Sequence, residues 1–164
     1  MDDGVAAPLR LCVRRSIAEP GRAGDGVPQP TVWIGLRVPA DLACVEEAVE
    51  LMARHCFAGA LPSRRTSFRL RVLLAEALTN SILFGARGDP NHTVLVSAEL
   101  DAGTIRLQVT DDGPGFDPKA ITDPTLPSAV RRPVGRGLFL IRNLADHVEF
   151  NAQGNTIWMT LPRA

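Results

Sequence analysis

The stretch EALTNSILFGARG, residues Glu76 to Gly88, decides how this chain is read. It continues an apolar series, Leu70, Leu73, Leu74, Ala77, Leu78 and Ser81, whose steps of three and four lay one stripe along a helix running from about Ser67 to about Gly85 and Gly88. Glu76 and Asn80 stand one turn apart beside that stripe and project together, with Arg87 further along the same side. By residue type alone the pair is either a solvated helix edge or a carboxylate and an amide aimed at a ligand. In the second case the amide oxygen suits Mg²⁺, and the carboxylate can orient water or take a proton.

Upstream, TVWIGLRVP after Pro30 alternates as a strand, and Ala40 to Phe57 carries apolar residues at helical spacing with Asp41 placed to cap the start. Pro62 and Ser63 interrupt the two helices. Further back, EPGRAGDGVPQP (Glu19 to Pro30) is too rich in Gly and Pro to order itself and reads as a flexible linker, while LRLCVRRS before it carries a faint edge-strand pattern. Downstream, HTVLVSAEL and TIRLQVT form a hairpin through Asp101-Ala102-Gly103. Lys119 to Val134 holds three prolines and reads as a lid or loop. GRGLFLIRNLAD then opens a helix with Leu138, Leu140, Ile141 and Leu144 turned inward, and HVEFNA with NTIWMTLP closes the chain as a hairpin around Gln153-Gly154. Trp33 and Trp158 fall in strands and are expected in the core. The order predicts an α+β fold, a helical layer on one antiparallel-rich sheet, with residues 1–30 as an extension and linker and 31–164 as the domain.

A chain of 164 residues with 45% hydrophobic content suits one well-cored domain. Eighteen basic residues offset eighteen acidic ones, which argues against nucleic acid or an anionic membrane as a direct partner. Cys12, Cys44 and Cys56 are odd in number and lack CxxC pairing, so a disulfide framework or zinc site is not expected and a reducing cytoplasm fits. No apolar run approaches the roughly 18 residues that span a bilayer, and Asp2 and Asp3 replace a basic leader start.

Two further motifs bear on chemistry. In Asp111-Asp112-Gly113-Pro114-Gly115-Phe116 a strand ends in a carboxylate followed by two glycines, which lets the backbone approach a planar ligand whose amino group the carboxylate accepts; the same residues also make an ordinary Pro-Gly turn. A calcium loop is excluded because the twelfth position from Asp111 is Thr122 and not Glu. In Gly135-Arg136-Gly137-Leu138 the glycines at a helix start leave backbone N–H groups free for an anion such as phosphate, or else form a loop before a core helix. His55, His92 and His147 show no ligand spacing, and neither a P-loop nor GxSxG occurs.

The order of the three motifs, E-x-x-x-N on a helix, D-x-G-x-G after a strand and G-x-G-L opening a helix, resembles the N, G1 and G2 boxes of the GHKL superfamily of gyrase, heat-shock chaperone, histidine kinase and MutL ATPases. Within it, EALTN, DDGPGFDP and GRGLFLIRNLADHVEF look like the stand-alone anti-sigma factor serine/threonine kinases, over about Val32 to Pro162. The resemblance implies a two-layer α/β sandwich with helices on one face of a mixed, mostly antiparallel sheet. It implies Asn80 as the Mg²⁺ ligand, Glu76 as general base and Asp111 as acceptor of the adenine amino group. Gly113 and Gly115 would shape the turn against the base, and Gly135, Arg136 and Gly137 would meet the phosphates of ATP. It further implies a sigma factor and a STAS-domain anti-anti-sigma protein as partners, and a homodimer.

Two positions depart from that pattern. Phe84 stands four residues after Asn80, where the family commonly has His, and Val45-Glu46-Glu47 stands where related kinases often carry an Arg that engages the partner. The expected alternatives are therefore a kinase acting in partner switching, a nucleotide-binding switch without catalysis, and a scaffold that binds no nucleotide.

Overall fold

A computed structural model describes residues 8–17, 30–89, 91–118 and 133–164. Among the described residues six strands form one sheet: β1 (Arg10–Ile17), β2 (Pro30–Pro39), β3 (Thr93–Leu100), β4 (Thr104–Thr110), β5 (His147–Phe150) and β6 (Thr156–Pro162). Their order is β1-β2-β3-β4-β6-β5, and every pairing among the described residues is antiparallel. Three helices, α1 (Val45–Cys56), α2 (Arg64–Asn80) and α3 (Pro133–Leu144), lie side by side on one face, which makes the α+β two-layer sandwich that the motif order implies.

The local reasons follow the sequence. Asp41 Oδ1 accepts from Ala43 N at 2.9 Å and starts a short 3₁₀ turn (Leu42–Cys44) that leads into α1. Ser63 caps α2, its hydroxyl accepting from Thr66 N at 3.1 Å, so this helix begins three residues before the Ser67 expected from the apolar stripe. The stripe itself is buried throughout, from Leu70 to Ser81. Asp101 Oδ1 accepts from Gly103 N and Thr104 N and closes the β3–β4 hairpin. Among the described residues no helix is long and apolar enough to cross a membrane.

The core lies between Ile34, Leu36 and Val38 of β2, Val94, Val96 and Ala98 of β3, Leu107 of β4 and Met159 of β6 on the sheet side, and Met52, Leu70, Leu73, Leu74 and Ile141 on the helix side. Parity decides what stays out. Trp33 and Trp158 alternate with the core residues Ile34 and Ile157, so both project from the opposite face and are half-buried, contrary to the core placement expected of them. There Trp33 lies over Gly35 and beneath the Arg14 guanidinium, and Trp158 Nε1 donates to Gln108 at 3.1 Å. In α3, Leu138 and Ile141 are buried and Leu144 packs against the core, but Leu140 is exposed beside Phe139, because it lies two residues from Leu138 and so falls on the far side of the helix.

β1, faint in the sequence, pairs with β2 over its full length, from Arg10 opposite Arg37 to Ile17 opposite Pro30. Its pattern is blurred because Leu11 and Val13, in register with the core residues Leu36 and Ile34, are exposed. Cys12, Cys44 and Cys56 are all free, and burial pushes the Cys56 thiol up to about 12. Residues 18–29 and 119–132, most of the expected linker and lid, lie outside the described residues.

Candidate functional site

At the C-terminal end of α2 the chain departs from α-helical winding. Ser81–Gly85 forms a π-helical turn directly after Asn80, and Gly88 then adopts a φ of 68°. The extra residue rotates Phe84 and Gly85 relative to the α2 stripe and brings Gly85 against Asp111, at the end of β4. A Cβ on Gly85 would come within 2.6 Å of Asp111 Oδ2, and one on Gly113 would come within 2.6 Å of Gly85 Cα. Only glycines at 85 and 113 allow these two segments to meet.

Asp111 is fixed on several sides. Its backbone N–H donates to Asn155 O at 3.0 Å, and its Oδ1 accepts from Gly113 N at 2.9 Å. Burial raises its carboxyl above the ordinary aspartate value; hydrogen bonds from the Gly113 N–H and the Ser81 hydroxyl oppose that rise, and the neighbouring Asp112 charge adds to it. Ser81 is itself buried. It was expected only as one member of the apolar stripe; its hydroxyl instead serves the carboxylate.

The β5–β6 hairpin closes the far side. Asn151 Oδ1 accepts from Gly154, Asn155 and Thr156 N–H groups, and Asn155 Nδ2 and Gln153 Nε2 both donate to Gly113 O at 3.3 Å. Gly115 (φ 72°) lies against the Gln153 carbonyl and Gly154 (φ 76°) against the Phe116 carbonyl, so the two turns interlock backbone to backbone. Phe116 meets Phe150 edge to face at 5.5 Å. Between these walls lies a mostly apolar cavity lined by Asn80, Ser81 and Phe84 from the end of α2, by Asp111 and Phe116, by Leu138 and Ile141 of α3, and by Phe150 and Thr156. Thr156, buried and paired with Thr110 at 3.1 Å, was not singled out by any sequence motif.

Glu76 and Asn80 do project together, and α3 crosses them at Gly137. A Cβ there would lie 2.7 Å from Glu76 Oε2, 3.2 Å from Asn80 Nδ2 and 3.4 Å from Asn80 Oδ1. The Asn80 Nδ2 is buried without a hydrogen-bond partner, an arrangement that costs free energy unless a ligand supplies one. Arg69 of α2, bonded to Leu144 O and ion-paired with Asp146, holds the end of α3 in register with this contact.

The expected residues thus sort by position. Asn80, Asp111 and Gly115 line the cavity; Gly113 backs Asp111; Glu76 and Gly137 flank Asn80. Gly135 and Arg136 sit in the first turn of α3, after Pro133 at its first position, with open space around Gly135 and Arg136 exposed. They stand outside the cavity; Gly135, third in the helix, is among the positions whose N–H has no intrahelical acceptor, and Arg136, fourth, is not. Among the described residues no cluster of three His, Cys, Asp or Glu could hold a metal.

The chain matches the family model described as Histidine kinase-like ATPase domain over residues 38–161. It is similar to proteins named anti-sigma F factor from Oceanobacillus iheyensis (30% identical over 98 residues, 56% of this chain and 66% of that protein), Halalkalibacterium halodurans (28% over 105 residues, 60% and 70%) and Heyndrickxia coagulans (33% over 88 residues, 51% and 58%). The chain spans just under two thirds of the length of the first of these relatives, at 66%.

Proposed function

The chain belongs to the histidine kinase-like ATPase domain family, and from that premise we propose that it binds ATP and acts as an anti-sigma factor. On this reading it phosphorylates a serine or threonine of a STAS-domain anti-anti-sigma partner, which releases that partner and frees the chain to sequester a sigma factor. A sigma factor partner places it in the cytoplasm, and a homodimer fits the same circuit. The observation that carries the reading is the meeting of three distant segments: Gly137 of α3 against Glu76 and Asn80, and Gly85 at the end of α2 against Asp111.

Adenine fits the apolar end, where Asp111 accepts from its amino group and Gly115 gives the ring access. The unpartnered amide of Asn80 fits a Mg²⁺ site, with Oδ1 as ligand once the amide is turned to present it. When bound, Mg²⁺ supplies charge neutralisation on the phosphates. Glu76 takes the proton of the partner hydroxyl as that oxygen bonds to the γ-phosphorus; the bond from that phosphorus to the bridging oxygen breaks and ADP leaves. Gly135 supplies a backbone N–H and the Arg136 side chain a cation to the phosphates at the start of α3.

Phe84 supports a second reading, a nucleotide-held switch without catalysis. The residue is 42% exposed and lines the cavity with carbon where the resembled kinases commonly carry His. Transfer of labelled phosphate from ATP to a purified STAS-domain protein separates the two: transfer supports the kinase, and tight ATP binding with no transfer supports the switch. On either reading Asp111→Asn should weaken Mg-ATP binding by about 10- to 100-fold in titration calorimetry, since hydrogen bonds to a charged acceptor contribute about 1.5–3 kcal/mol. Unchanged affinity would remove Asp111 from the base site.

A further inference from the structure

We propose that His92 is a positioning residue for the nucleotide pocket: its ring ties the loop after the π-helical turn to the Asp111-Asp112-Gly113 turn, and does so fully only while protonated. This rests on the nucleotide-binding reading and adds a control that the motifs do not contain.

The geometry is specific. The His92 backbone is anchored at the start of β3, its N–H donating to Asp89 O and its carbonyl accepting from Ala40 N, both at 3.0 Å. From that anchor Nδ1 reaches Asp112, 2.8 Å from Oδ2 and 2.9 Å from Oδ1, while Nε2 lies 3.7 Å from Asp89 Oδ2. Asp89 is in turn held by Asn91, whose N–H and amide both donate to its Oδ1 at 2.9 Å. One imidazole therefore stands between Asp112 of the motif turn and Asp89 of its own loop, both beside the cavity lining and not in it. A neutral ring with its proton on Nδ1 keeps the hydrogen bond to Asp112; protonation adds charge to that bond and an attraction to Asp89, which at 3.7 Å is an ion pair and not a hydrogen bond.

Each carboxylate has a neighbour that matters. Asp89 closes the loop that begins at Gly85, the glycine packed on Asp111, and Asp112 adjoins Asp111 in the chain. The charged groups facing His92 are Asp89 from its own loop and Asp112 from the motif, and among the described residues no Lys or Arg is paired with either. The hydrogen bond and charge of Asp112, with a smaller contribution from Asp89, raise the His92 pKa above the ordinary histidine value. The cation also offsets the Asp112 charge, which otherwise pushes Asp111 toward its protonated form and away from accepting the adenine amino group.

The direction of the effect follows. Because the folded-state pKa is raised, the tie is complete below the ordinary histidine value and is lost as pH rises through the raised one. Nucleotide affinity falls over the same interval. Both partners are well exposed, so the effect is modest, about threefold in Kd.

The test is Mg-ATP titration calorimetry from pH 5.5 to 8.5 on the full chain and on His92→Arg, His92→Gln and Asp112→Asn, each checked by thermal melting. ATP's own phosphate titrates in this range, so the quantity read is the ratio of variant to wild-type Kd at each pH. The fixed cation of His92→Arg should hold affinity at high pH where the wild type weakens; His92→Gln and Asp112→Asn should start about threefold weaker at low pH and converge on the wild type as pH rises. A ratio for His92→Gln that does not change with pH, or His92→Arg behaving as His92→Gln, overturns the proposal while leaving nucleotide binding intact. Absence of Mg-ATP binding by the wild type at every pH overturns both.

Discussion

Replacing Glu76 with Gln is expected to lower phosphoryl transfer to the hydroxyl partner by about 10²- to 10⁴-fold, the usual contribution of a positioned general base. Nucleotide affinity should stay within about threefold, because the amide keeps the shape of the carboxylate beside Gly137 and Asn80 and removes only its basicity. The contrast between the two readouts is informative: a residue that merely packed against α3 would lower both together through loss of the fold. Single-turnover transfer of labelled phosphate, with calorimetry on the same preparations, measures it. Full transfer by Glu76→Gln would move the base elsewhere.

Gly115→Ala is expected to destabilise the protein by about 2–4 kcal/mol, combining the strain of a left-handed backbone with overpacking. Gly115 has a φ of 72°, and a Cβ there would collide with the Gln153 carbonyl, a backbone atom pinned by the hairpin's own hydrogen bonds. Relief therefore requires the Asp111–Phe116 turn and the β5–β6 hairpin to separate, which opens the cavity and weakens Mg-ATP binding together with stability. Gly35→Ala is the matched comparison. Its Cβ would meet the outer ring atoms of Trp33, which can swing into solvent from the exposed face, and the expected loss is smaller. Urea denaturation of both variants checks the difference, and equal losses would mean that the interlock does not hold the site.

Much of this architecture was readable from spacing. The three-and-four rhythm from Leu70 to Ser81 located α2 and its buried face, and the alternation in TVWIGLRVP located β2. That same alternation contained the information about Trp33, which sits out of phase with Val32, Ile34 and Leu36; residue type suggested a core tryptophan, while parity placed it on the bare face. β1 was faint because Leu11 and Val13 are exposed, so no buried face imposes an apolar alternation on it. The π-helical turn left no trace in the sequence, since one extra residue in a helix changes no local residue preference. Gly85 therefore read as a helix terminator and Ser81 as a stripe residue, although one abuts Asp111 and the other bonds to it. Thr156 and the Asn151 network came from the other end of the chain, where only tertiary structure shows what they face.

Glu76, Asn80, Asp111 and Gly137 were legible as motif members, and the resemblance implied one shared site; the contact of Gly137 with Glu76 and Asn80 was not legible, because it depends on how α3 crosses α2. The same holds for His92. Nothing in its sequence neighbourhood pairs it with Asp112, twenty residues away, and it read as an isolated histidine.

The central claim is that these segments form one cavity for an adenine nucleotide. Equilibrium dialysis of the wild-type chain against labelled ATP, with Mg²⁺ and then with Mg²⁺ removed by chelation, tests it most directly. The account predicts saturable binding of one ATP per chain that Mg²⁺ strengthens and excess adenosine displaces; binding that saturates at no concentration, or that guanosine displaces as well as adenosine, would contradict it.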